Sequence, residues 1–73
     1  MTKQEIIGGI NAVTMKAKAA SIRRDVLALR SCVEESYELL NAARAAKSPK
    51  LVKEARDAFY GVTGLEDFVL TSI

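Results

Sequence analysis

Three groups of side chains in this sequence have types and spacings that could do chemistry. Glu34, Glu35 and Glu38 crowd into one turn and a half of chain, Cys32 offers a lone thiol just before them, and Lys16, Lys18, Arg23, Arg24 and Arg30 form a basic stretch. Carboxylates at this density could bind a cation, but a calcium-type site needs about six to eight oxygens. No second carboxylate pair is placed to complete that shell, so a solvated face or salt-bridge partners is the expected role. The thiol could serve redox chemistry or an intersubunit disulfide. Its place beside an apolar stripe favours a buried small hydrophobe instead.

The basic stretch raises phosphate binding, and with it a small DNA-binding transcriptional regulator using Lys16 to Arg30. Those bases are spread around the helix they occupy and are interrupted by Asp25. Asp57 to Leu70 has the outline of a helix-turn-helix with Gly61-Val62-Thr63 in the turn. Asp57 and Asp67 stand where small or apolar residues are needed, and the second helix is acidic where phosphate and base contacts require Lys or Arg. Nucleic acid is therefore the alternative, not the preferred partner.

No catalytic constellation is visible. The chain has no histidine, so the commonest general base is missing, and it has no G-x-S-x-G, P-loop or dinucleotide-binding glycine pattern. Gly8-Gly9 is a lone pair inside a helical segment. The expectation is a non-enzyme with no catalytic, cofactor-binding or metal-binding residues.

The elements that carry these side chains read as all-α. Thr2 and Glu5 have the spacing of a capping box, and the run from Thr2 to Lys47 contains no proline. One long helix over about residues 3–46 is expected, extending about 66 Å at 1.5 Å per residue, with a break near Ala19-Ala20-Ser21 as the competing reading. Ser48-Pro49 ends it, because proline disfavours helical geometry before itself and suits the first turn of a new helix, which serine can cap. A second helix over about 49–60 carries Leu51, Val52, Ala55, Ala58 and Phe59, and Gly61 is placed to end it, with Val62 just beyond completing the apolar face. Thr63 and Glu66 repeat the capping spacing, predicting a short third helix over about 64–72 through Leu65, Phe68, Val69 and as far as Ile73.

The long run has two apolar seams. Ile6, Ile10, Val13 and Ala17 share one side of a helix, while Met15, Ala19, Ile22, Val26, Leu29, Val33, Ser36, Leu40 and Ala43 share another. Ile22 lies about 180° from Val13. A short link makes a helical hairpin, pairing Leu40 and Ala43 with Leu51 to Ala55 and Val33 to Ser36 with Phe59 to Val62. It brings Glu38 toward Arg56, and Glu66 or Asp67 toward Arg23, Arg24 or Arg30. Tyr37, Phe59, Tyr60 and Phe68 fall on the hairpin's apolar faces as core, with the tyrosine hydroxyls outward.

Such a hairpin covers only the later seam. The earlier one, Ile6 to Ala17, is left facing water, which predicts an intertwined homodimer with exchanged amino-terminal halves. The expected dimer or partner interface is Ile6, Ile10, Val13, Ala17, Ile22, Val26 and Leu29, with Lys16, Lys18, Arg23 and Arg24 as a basic contact surface. Charge supports neighbours of opposite sign: residues 1–31 carry six bases and two acids, 32–43 three acids, 44–56 five bases and one acid, and 57–73 three acids. A second subunit also suits 73 residues with one cysteine, too few for a large core or an internal disulfide.

These readings converge on a single small helical domain over 1–73 that binds another protein as a dimeric regulator, inhibitor or adaptor, by helix-in-groove contacts. Accessory proteins of bacteria, phages and mobile elements are commonly of this build. No secretory signal or apolar run of membrane-spanning length is seen, so a cytoplasmic location without membrane contact is expected.

Overall fold

The computed structural model describes residues 1–72. It contains three helices, α1 (Lys3–Arg23), α2 (Val26–Ala45) and α3 (Pro49–Ser72), and no strand among the described residues. The all-α class and the helical hairpin are as expected. Ile73, the outermost residue assigned to the third apolar face, lies outside the described residues. Two short turns fold the helices up, down and up, so neighbours in sequence are antiparallel, in a bundle whose Cα atoms span 39 × 16 × 14 Å.

The run before Pro49 is two helices, not one of about 3–46, and the break falls at Arg24-Asp25 rather than near Ser21. Arg24 adopts left-handed geometry with φ of 55°. Its amide donates to the Ser21 carbonyl at 3.1 Å and the Asp25 amide donates to the Ala20 carbonyl at 2.9 Å, the paired bonds of a Schellman ending. Asp25 then caps α2, its carboxylate accepting from the Ala28 amide at 3.1 Å. A left-handed arginine is strained by roughly 1–2 kcal/mol. The turn offsets that cost because it folds the seam of α1 back onto the seam of α2, which a straight helix would leave on opposite faces.

The second turn follows the expected chemistry. Lys47 takes φ of 55°, Ser48 Oγ accepts from the Leu51 amide at 3.4 Å, and Pro49 opens α3. From there the structure departs from the expected 49–60 and 64–72 helices, since α3 is continuous through Gly61 and Gly64. Neither glycine has positive φ. Thr63 Oγ1 donates to the Phe59 carbonyl at 2.8 Å instead of capping a new helix. The reason is packing: Leu51, Ala55, Ala58, Val62, Leu65 and Val69 recur in alternating steps of four and three, an unbroken inward stripe.

Two apolar clusters form the core. Val13, Ala17, Ala20, Leu29, Cys32, Leu39, Val62 and Val69 make one, and Ile6, Leu40, Ala43, Leu51 and Ala55 the other. Half-buried Ile10 packs against both. Alanines at four of these positions let the helices approach closely. The hairpin register is as expected, with Leu40 and Ala43 beside Leu51 and Ala55 and Tyr37 beside Phe59.

Candidate functional site

The structure changes which seam lies open to solvent. Ile6, Val13, Ala17 and Leu29 are buried within the chain's own bundle, while Ile10 and Val26 are half-buried. The seam expected to face water is thus covered by α2 and α3. Of the seven residues assigned to an interface, Ile22 is the one that lies open, at 83% exposure. The later seam divides: its α2 members pack inward, whereas Met15, Ala19 and Ile22 point to solvent.

Those three belong to a continuous outer face of α1. Gly8, Asn11, Ala12, Met15, Ala19 and Ile22 fall within about 100° of the helix circumference at 100° per residue, and all are exposed. None is charged. Met15, at 72% exposure, and Ile22 are the large apolar groups, seven residues apart, with small residues around them. Gly8 has open space where a β-carbon would stand. Glycine and alanine lower the relief of this face, so a second helix could lie close along it.

The basic stretch does not converge on one phosphate-binding surface. Lys16 reaches across to α2, where its Nζ donates to both carboxylate oxygens of Glu35 at 2.7 and 3.0 Å. That hydrogen bond holds the Lys16 ammonium above its ordinary pKa. Lys18 lies on the other side of α1, lining a groove against α3 with Asp57 and Gly61. Arg24 donates to Ser72 Oγ at 3.2 Å, Arg30 pairs with Glu66 at 3.7 Å, and Arg23 is exposed. The Arg30 to Glu66 contact is one of those expected. Glu38 and Arg56 do not pair among the described residues.

The acidic group is likewise divided. Glu35 faces Lys16, while Glu34 and Glu38 border a shallow groove of about 370 Å³ lined by Val33, Tyr37 and Phe59. Cys32 is buried, as its place beside the stripe suggested. Burial, and then the neighbouring Glu35 charge, push its thiol pKa up, which disfavours the reactive thiolate.

The aromatics are less internal than expected. Tyr37, Phe59 and Tyr60 form a chain of rings with centroids 5.8 and 6.0 Å apart. Phe59 is half-buried between α2 and α3, while Tyr37, Tyr60 and also Phe68 are exposed. Phe68 therefore lies outside the core, because Leu65 and Val69 take the inward positions of the last turns. No described helix is long and apolar enough to cross a membrane. No protein-family model, curated protein or solved structure matches the chain.

Proposed function

We propose that this protein is a small helical protein-binding module, a non-enzymatic regulator, inhibitor or adaptor that acts by docking the outer face of α1 onto another protein. The observation that carries the reading is the uncharged face from Gly8 to Ile22, on which Met15 and Ile22 stand exposed at heptad spacing. Two large apolar groups a heptad apart, with Ala19 on one side of the line between them and Lys18 on the other, suit a partner helix or an apolar groove. The reading places the protein in the cytoplasm, where a lone reduced thiol persists.

Affinity capture from the native host tests it, using wild type beside Met15→Asp and Ile22→Asp. Both side chains are exposed, so the variants should keep the fold, read by circular dichroism, and lose a partner that wild type retains. Unchanged capture by both variants would remove the outer face of α1 from the account. The DNA-binding reading predicts a complex that weakens steeply with salt, and the division of Lys16, Lys18 and Arg30 among separate neighbours argues against it.

A further inference from the structure

The outer surface of α3 carries a second pattern, in charge. Lys53, Tyr60 and Asp67 are spaced seven and seven, which places them within about 40° of one another on the helix, and all three are exposed. Among the described residues neither Lys53 nor Asp67 has an ion-pair partner. Tyr60, at 64% exposure, stands midway between them. The base and the acid are therefore equidistant from an aromatic ring and opposite in sign.

A helix face with that arrangement is complementary to itself when reversed. We infer that a second copy of this chain occupies it: two α3 helices pack antiparallel about a two-fold axis at Tyr60, so that Lys53 of each copy meets Asp67 of the other. The interface is isologous, and a single axis forms both ion pairs. Arg56 and Gly64 are related by the same reversal. Gly64 has nothing within 4 Å of its β-carbon position, which leaves room for the arginine stem to lie across the partner helix. Tyr60, extended by the Phe59 and Tyr37 rings beside it, supplies the aromatic centre that interfaces favour. The parallel arrangement would set Lys53 against Lys53 and Asp67 against Asp67.

This assignment deepens the binding-module reading by adding self-association, on a helix that the target-docking face does not use. Its test reads only the protein's own mass, so it can fail while target binding stands. Sedimentation at micromolar concentration should give a dimer for wild type. Lys53→Glu and Asp67→Lys should each weaken it at least tenfold, because each sets two like-charged pairs across the axis. The double variant should recover most of the loss. Tyr60→Cys should form an intermolecular disulfide with oxidised glutathione, since a residue on the axis lies nearest its own symmetry mate, while buried Cys32 stays reduced. A monomeric wild type, a single reversal that dimerises like wild type, or a double variant no tighter than the singles would overturn the assignment.

Discussion

A β-carbon placed on Gly9 would lie 2.6 Å from Leu39 Cδ2, so α1 and α2 meet there with the glycine backbone against a leucine side chain. Leu39 is itself buried in the core, and its Cδ2 must shift to admit the new methyl group. Replacing Gly9 with alanine gains helix propensity of about 1 kcal/mol, but overpacking typically costs about 1–3 kcal/mol. Gly9→Ala should therefore lower stability by about 1 kcal/mol in urea denaturation. Gly61→Ala, at a helical position with open space around it, should raise stability by about 0.5–1 kcal/mol. A loss at Gly61 would instead indicate a helix ending there.

The burial of Ile6 and Val13 predicts that these residues stabilise each chain directly. Ile6→Ala should cost about 2–4 kcal/mol, a large share of the total for a domain stabilised by about 0.05–0.15 kcal/mol per residue. Ile22→Ala should change the free energy of unfolding by no more than about 0.5 kcal/mol, as surface positions do. Equal effects at both positions would contradict the placement of the seams.

The Lys16 to Glu35 pair links α1 to α2, and its pH dependence has a definite sign. The carboxylate raises the Lys16 pKa above its ordinary value of 10.5, so the folded state holds this proton more tightly than the unfolded state. The stabilisation is complete below the ordinary lysine range and is lost as pH rises through the folded value. Wild type should exceed Glu35→Gln in stability at neutral pH, with the gap closing as the solution becomes strongly alkaline. Salt should narrow the same gap, because the pair is exposed.

Cys32 should react slowly with iodoacetamide in the native protein and rapidly in denaturant. Burial and the Glu35 charge oppose the thiolate in the folded state, and the thiolate is the nucleophile. Native-state labelling as fast as that of a free thiol would show that the α1/α2 seam opens readily.

Lys47 and Arg24 both hold left-handed geometry that costs a side-chain-bearing residue free energy. Lys47→Gly should raise the thermal midpoint by relieving about 1 kcal/mol, partly offset by the larger entropy of glycine in the unfolded chain. A lower midpoint would mean that the lysine side chain contributes more at this turn than its backbone strain removes.

Much of the hairpin was legible because helical period and the Ser48-Pro49 boundary act locally. Leu40, Ala43, Leu51 and Ala55 meet as their spacing from the turn requires. The break at Arg24-Asp25 was harder to read, since a left-handed arginine gives no composition signal and is held by the packing of both seams. Asp25 is nevertheless as good a cap candidate as Ser21, because aspartate and serine rank alike as caps, and it opens the run Val26-Leu27-Ala28-Leu29. At Gly61 the error ran the other way. A glycine suited to ending a helix outweighed an inward stripe that continued through Leu65 and Val69.

Most of the expected interface residues are covered within the chain's own bundle for the same reason. A continuous helix through α1 and α2 would leave one seam outward, and the hairpin spacing points to Ile6 to Ala17. Once the chain reverses at Arg24, the inward side of α1 is settled by what α2 and α3 present to it. The exposed face from Gly8 to Ile22 was visible in the spacing of Met15, Ala19 and Ile22, but joining these residues to the α2 stripe concealed it.

The two tight turns also set how quickly the molecule can form. Each joins helices that pack against their neighbours in sequence, so most tertiary contacts close small loops, and only the docking of α1 beside α3 spans a long stretch of chain. Helical bundles of such local topology fold in roughly microseconds to milliseconds. A newly made chain would complete its bundle well before meeting a partner, so association would proceed between preformed surfaces.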